Sequence, residues 1–557
     1  MTDTNALLVV LFAAILGRLI TLPKTMAAAT RLLSTPAAPL LFGAITAVFM
    51  AWLFGGLNQV ANIHDEAAYL LQARIYASGH WVAPGLPLPE FFEQYHVFVT
   101  PILTPKYPPG HAMLLVPGIW LGLPGLMPVL LVGICGALTF ALARRLTNPW
   151  IGLFTWLFWL TAIETLDFLP TYLSETTTSA LWMLGWLALA RWLEDDRQKW
   201  LNLLAFAIGL GFLTRPVTML VFALPVAVVV LTRIARRKEW RELIQPFGVG
   251  FLFLGIWCLW CQRTTGSPFR APYGLYSRYY FPDDVMGFGL TGLQPLRHLN
   301  PDMVSFNAFV QSLHKDYTLA NLPSQLWGRL VAIAANMWAT RVIFLPLAAL
   351  GLVTTSRAVW LAVGTAALLV GAYLSVGHGV MWTVYYVESV PVLAFVSVLG
   401  WWRLSSVIAN RRLEWPLANI PATTPNAVLA IIVSGLLLMP YTTRAAPYVA
   451  GKKDYGRAYQ HDFRSMLQLI PDEHSMVFIR YSHSHSPHQS LVTNAPDLAK
   501  ARVWTVYDLG EENVRLMKLD PHRTPYLFDE EQRILVPLDS AGVPHFEHVI
   551  HEPGERF

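Results

Sequence analysis

From residue 5 to residue 439 the chain repeats one pattern, a long apolar run followed by a short polar connection. Runs at 5–22, 40–57, 126–143, 150–163, 179–192, 201–213, 217–231, 244–261, 326–354, 359–376, 386–402 and 427–439 approach, with their aromatic and small flanks, the ~20 residues that cross a bilayer core as a helix. A transmembrane barrel would instead show alternating segments of ~10 residues, and the chain has none. The pattern predicts a polytopic α-helical membrane protein of roughly twelve spans. A further apolar stretch, 108–121, opens on a Pro-Pro-Gly turn and predicts a short helix along the interface.

Composition agrees with lipid burial. Only 13% of the residues are charged against 54% hydrophobic, where a soluble domain carries about a quarter charged. A formal net charge of +5 raises the question of nucleic acid, and the distribution excludes it. The cations cluster in short connections (Arg144 and Arg145; Arg191, Arg197 and Lys199; the run 233–241; Arg357; Arg403, Arg411 and Arg412), the positive-inside arrangement of a membrane protein. One orientation fits them all. It gives the first run, interrupted by Arg18, an outside N-terminus. A cleaved signal peptide competes for that run, but the acidic MTDT start lacks a positive leading region. Cys135, Cys258 and Cys261 lie in or beside predicted spans, with neither a zinc spacing nor a disulfide framework.

The same orientation puts two long polar connections outside, 58–111 and 262–325, within a transmembrane domain spanning 1–440. Beyond residue 440 no apolar run of spanning length remains, and 475–481 and 501–507 read as strands. Residues 441–557 are therefore expected to form an extracytoplasmic domain of mixed α/β class. Its stretch YSHSHSPHQS, 481–490, is read as either a polar loop that helps bind acceptor or glycan or a metal site, with His483 and His485 on one face of a strand and His488 in a loop.

Ionisable groups at the membrane boundary are costly and mark function. Sorted by face, the external set is Asp65, Glu66, Lys106, Asp167, Glu175, Arg215, Arg270, Arg278, Tyr385, Tyr386 and Glu388. An Asp-Glu pair alone equally suits a helix N-terminus, where acids meet the dipole. Paired with Lys106-Tyr107-Pro108-Pro109-Gly110 it is more specific.

The stretch DEAAYLLQARIYASGHW followed by KYPPG resembles the first external loop of the GT-C glycosyltransferases. The resemblance is to the branch of protein O-mannosyltransferases, the lipid A aminoarabinose transferase and the rhizobial lipopolysaccharide galacturonosyltransferases. LSETTTSALW around Glu175 is a second match; the Tyr-rich stretch 273–282 and YYVESVP at Tyr385 are looser. The resemblance implies an inverting glycosyltransferase that takes a sugar from a polyprenyl-phosphate donor and passes it to a lipid, glycan or protein acceptor outside the cytoplasm, in the inner (plasma) membrane. It implies Asp65 as general base, with Glu66 beside it as a catalytic candidate. Lys106 would be the cation at the donor phosphate, with Tyr107, Arg270, Arg278, Tyr385 and Tyr386 as further phosphate donors. Glu175, Arg215 and Glu388 are acceptor or cavity candidates. In the aminoarabinose transferase a glutamate that can help bind metal precedes the lysine; here Pro105 does. A divalent metal is therefore left open, with His64, Glu93 and His96 as alternative ligands, and no other cofactor is expected. The competing class is a membrane transporter or flippase of a lipid-linked saccharide, which would place charges at the bilayer midplane in two related halves; no half-repeat is visible.

Overall fold

A computed structural model describes residues 3–19, 22–338, 342–410 and 425–551. Arg411 and Arg412 and the side chain of Arg18 lie outside the described residues. The chain divides into two compact units. One comprises Met1–Leu57, Gly125–Leu254 and Ala320–Gly451, the other Asn58–Pro124, Gly255–Leu319 and Lys452–Phe557. The last division falls after Gly451, and both polar connections share a unit with the C-terminal segment.

The first unit is helical. Among the described residues, Leu126–Leu146, Pro216–Arg237, Trp240–Thr265 and Thr383–Ile408 are long and apolar enough to cross a membrane; the pair Lys24–Ser34 and Ala38–Phe54, bent by 83°, raises the number to five. Other apolar runs form shorter helices, such as Pro149–Leu160, Phe344–Val353 and Arg357–Tyr373. The bend after Ser34 falls before Pro36, as expected for a residue pair that leaves the α region. There Arg144 donates to the carbonyls of Leu33 and Thr35 at 2.9 and 2.8 Å, so a cation closes the free end of the bent helix. Asn148 caps the helix Pro149–Leu160 by accepting from the Trp150 and Ile151 amides, as an N-cap should.

Helix contact in lipid rests on van der Waals fit rather than on water exclusion. Gly351 and Gly400 show the consequence: a Cβ on either would overlap the facing helix backbone, at Val396 and Leu347 respectively. The backbones of Phe344–Val353 and Val390–Asn410 therefore meet directly. Cys135 and Cys261 are buried and Cys258 half-buried, all three free. A cavity of about 450 Å³ lies between the helices, lined by groups that include Thr139, Trp182, Trp186, Val229, Phe395 and Glu388.

The second unit is built on a five-stranded sheet in the order Val503–Tyr507, Ser475–Arg480, Thr524–Asp529, Ile534–Pro537, Ile550–His551. The first three strands run parallel and the last two antiparallel. Five consecutive residues of Ser475–Arg480 are buried, which requires cover on both faces. Val477 and Ile479 pack on Phe463 and Met466, spaced i, i+3 on the preceding helix. Phe91 meets Phe478 on the other face, with Phe92 edge-on to Trp504. The polar connection 58–111 thus packs on the sheet through Phe91 and Phe92 and is itself ordered, with a helix His64–Ala77 and a small antiparallel sheet of Ala83–Pro84, Val97–Phe98 and Ile102–Pro105. The connection 262–325 likewise contains the helices Pro272–Tyr280 and Pro301–Lys315. An aromatic cluster that includes Tyr95, Phe98, Tyr276 and Phe306 joins the two.

Candidate active site

Asp65 occupies the first turn of His64–Ala77, where the helix dipole favours a negative charge. Strand register sets Lys106 beside His96. Val97 pairs with Pro105 across the hairpin, and the Lys106 amide donates to the His96 carbonyl at 2.8 Å, so two residues ten apart in sequence lie side by side. His96 has φ +65°, an uncommon conformation for a residue with a side chain and one that marks constrained sites. Its amide donates to the Tyr276 hydroxyl at 2.7 Å, which holds it there.

Around Asp65 the polar groups converge. Tyr107 donates its hydroxyl to Asp65 Oδ1, His64 Nδ1 lies 3.0 Å from Oδ2 and His96 Nε2 3.6 Å from Oδ1. Burial pushes the Asp65 carboxyl up, but the two imidazoles and the Tyr107 hydroxyl outweigh it and hold the group well below the usual carboxylate range. Burial, and then the Lys106 charge, lower the His96 imidazole well below its ordinary value. Asp65 is 30% exposed, and an ionised carboxylate has about four acceptor directions. It is charged, fixed in orientation and open to one more proton donor.

Lys106 is 1% exposed. Its Nζ sits 3.9 Å from the centre of the Tyr273 ring, 5.1 Å from Tyr276 and 5.6 Å from Tyr107, and 2.9 Å from Asp284 Oδ2. A buried cation needs a counter-charge, and Asp284 provides it.

Other expected residues fall elsewhere. Glu66 accepts from the Asn62 amide at 3.1 Å, much as an N3 glutamate does in a capping box. Burial raises its carboxyl, and Arg457 and Lys453 act against that; the structure does not bring it into the Asp65 cluster. Tyr107 holds Asp65 through its hydroxyl and flanks Lys106 with its ring. Arg270 is exposed and Arg278 donates to the Gln294 carbonyl; neither has a described contact with Lys106. Glu93 is buried with no described contact to His64 or His96, and its carboxyl is pushed up to about 7 by burial, with the Tyr280 hydroxyl opposing.

Glu175, Arg215, Glu388, Tyr385 and Tyr386 all belong to the helical unit. Arg215 Nη1 lies 2.6 Å from Glu175 and 3.9 Å from Glu388. Arg215 Nη2 donates to the Tyr373 hydroxyl at 3.1 Å, and the guanidinium stands over the Tyr385 ring. The Tyr386 hydroxyl is 3.0 Å from His378 Nε2. This is a second, wholly buried charge cluster.

The histidine-rich stretch is divided too. The strand ends at Arg480, because Tyr481 turns to receive the Leu491 amide on its hydroxyl and stacks on His485. His483 and His485 therefore do not share a strand. His485 pairs with Glu530 at 2.9 Å. His488 goes to the site: its Nδ1 lies 3.1 Å from His64 Nε2, and the Tyr95 ring stacks on His64 at 4.8 Å between centres.

Among the described residues one group could hold a metal ion, His64, Asp65 and His96, with ligand atoms within 4.8 Å of one another. Two imidazoles and a carboxylate suit a first-row divalent ion. His488 would accept from the outer nitrogen of His64, as the partner of a ligating histidine does. His96 Nε2 and His64 Nδ1, 2.8 Å apart, both lie against the Asp65 carboxylate. The residues fit a divalent metal through this trio, and Glu93 takes no part.

Residues 125–260 match the family described as dolichyl-phosphate-mannose-protein mannosyltransferase. No curated protein matches the chain by sequence. Among solved structures the chain is similar to ArnT from Cupriavidus metallidurans bound to undecaprenyl phosphate, with 15% identity, 89% of this chain and 91% of that one covered, and a TM-score of 0.53. The apo state of that protein aligns at 15% identity over 88% and 93% of the two chains, with a TM-score of 0.46. Residues 125–260 thus resemble that family's model, and the chain shares the fold of the lipid-bound ArnT structure.

Proposed function

We propose that the protein is an inverting glycosyltransferase that moves a sugar from a polyprenyl-phosphate donor to an acceptor on the extracytoplasmic side of the inner membrane. The observation that carries this reading is the linking of an ionised, partly exposed aspartate to a buried lysine by Tyr107, whose hydroxyl donates to Asp65 and whose ring centre lies 5.6 Å from Lys106 Nζ. In the reaction an acceptor oxygen attacks the anomeric carbon, the carbon–oxygen bond to phosphate breaks, and the acceptor proton passes to Asp65. Asp65 is a weak base at neutral pH, so transfer occurs as the attacking hydroxyl becomes acidic in the transition state. Tyr107 and His64 hold the carboxylate in position. Lys106 meets the charge developing on the leaving phosphate as a point cation. A divalent ion, if held by His64, Asp65 and His96, would supply Lewis-acid charge to the reaction.

The membrane side of the reading rests on the apolar runs, about twelve by their spacing, and on the positive-inside order of their connections. The apolar cavity in the helical unit offers contact area for an aliphatic chain, the interaction a prenyl tail makes. Glu175, Arg215, Glu388, Tyr385 and Tyr386 act in this reading by keeping their helix ends in place. The lipid-bound ArnT structure supports a polyprenyl donor, since that protein was captured with undecaprenyl phosphate.

The test is turnover by the purified protein in lipid nanodiscs, offered a panel of polyprenyl-phosphate sugars with lipid, glycan and peptide acceptors. Release of polyprenyl phosphate together with a glycosylated acceptor is expected. Binding or transbilayer movement of intact donor without release would favour a transporter and contradict the proposal.

A further inference from the structure

Lys106 already has an anion. Its ammonium group is enclosed by the rings of Tyr273, Tyr276 and Tyr107, and the charge facing it is the Asp284 carboxylate at 2.9 Å. If Lys106 receives the donor phosphate, as the proposed function requires, phosphate and carboxylate compete for one cation. Holding both would leave a net negative charge around a cation that is only 1% exposed, which is unfavourable. Exchanging one for the other keeps the charge balanced.

The two neighbouring acids of this loop differ in a way that suits exchange. Asp283 is buried and accepts from both the amide and the hydroxyl of Thr291, which pins the loop. Asp284 is 29% exposed, and its remaining side-chain contact is a long one, 3.3–3.4 Å, from the Tyr273 hydroxyl. Its backbone is tied independently, the amide to the Phe281 carbonyl and its own carbonyl to the Ser277 hydroxyl. The carboxylate can therefore leave Lys106 for solvent by rotation of the side chain while the loop stays in place.

We propose that Asp284 is a gate on the donor-phosphate site: it occupies Lys106 in the empty enzyme, preserving the buried cation, and is displaced when the lipid phosphate binds. The same displacement in reverse speeds product release, because the returning carboxylate competes with the polyprenyl phosphate left after transfer. The proposal inverts the expectation for an ordinary binding residue. Removing the Asp284 charge should tighten phosphate binding.

The experiment is equilibrium binding of undecaprenyl phosphate to the full chain in nanodiscs, with Asp284→Asn, Asp284→Glu, Lys106→Met and the double variant Asp284→Asn/Lys106→Met. Relief of a half-exposed ion pair predicts binding about five- to tenfold tighter for Asp284→Asn. Asp284→Glu, which keeps the competing anion, should stay near wild type. Lys106→Met should bind weakly, and the double variant no more tightly than Lys106→Met alone. Equal or weaker binding by Asp284→Asn, with Lys106→Met still impaired, overturns the gate and leaves the phosphate role of Lys106 standing. Unchanged binding by Lys106→Met overturns both.

Discussion

The protein holds two charge clusters, one in each compact unit, and they are built to opposite ends. In the helical unit Arg215, Glu175 and Glu388 are each less than a tenth exposed, with the guanidinium held by Glu175, by the Tyr373 hydroxyl and over the Tyr385 ring. In the loop unit the lysine is buried but both acids around it, Asp65 and Asp284, are about a third exposed. The first cluster has no group that can exchange without leaving a buried charge. The second has one fixed cation and two carboxylates that can each meet a substrate. Burial of every partner makes a structural clamp; burial of one sign alone makes a site.

This contrast predicts how variants divide. Asp65→Asn and Lys106→Met should fold normally and lose transfer, by about 10²–10⁴-fold for the base and about 10²–10³-fold for the cation, as read by product formation and thermal unfolding. Arg215→Met should do the reverse in kind: it strands buried carboxylates, costing about 3–5 kcal/mol of stability, and the loss should appear in the melting temperature before it appears in chemistry. If Arg215→Met kept full stability and lost only turnover, the helical cluster would have to be reclassified as catalytic.

A smaller effect sharpens the electrostatics of the loop unit. Burial raises the Glu93 carboxyl to about 7, so the folded state binds a proton that the unfolded state has released above its ordinary value of about 4.3. Stability from this group is then full below pH ~4.3 and falls as pH rises through about 7, by roughly 4 kcal/mol at most. Glu93→Gln should flatten that part of the stability–pH curve; an unchanged slope would mean that Glu93 is not the group responsible. Smallest of all, His488→Ala removes the outer partner of His64 but leaves Tyr95 stacked on it, and a several-fold fall in turnover with near-normal stability is expected.

The difference between the clusters also explains what could be read from the chain. Asp65 and Lys106 are legible because they flank a polar island and share a motif. The apolar runs predict helices such as Leu126–Leu146 and Pro216–Arg237 closely, although 326–354 divides between two helices, Leu322–Trp338 and Phe344–Val353. What stays hidden are partners supplied from a distance: Tyr276 reaches His96 across 180 residues, Asp284 reaches Lys106 across 178, and His488 reaches His64 across 424. No local pattern encodes such pairings; they follow from packing of the aromatic cluster and the sheet. The Tyr-rich segment and the histidine-rich segment were visible as unusual composition, and only the fold selects Tyr273, Tyr276 and His488 from them. Glu66 and Arg278 show the opposite case, charged residues next to the right motifs whose contacts lead elsewhere.

The most direct test of the central claim compares wild type with Asp65→Asn in two assays on the same nanodisc preparation, donor binding and release of polyprenyl phosphate coupled to acceptor glycosylation. The account predicts that Asp65→Asn binds the donor within a few-fold of wild type and makes no measurable product. Full transfer by a correctly folded Asp65→Asn protein would contradict it.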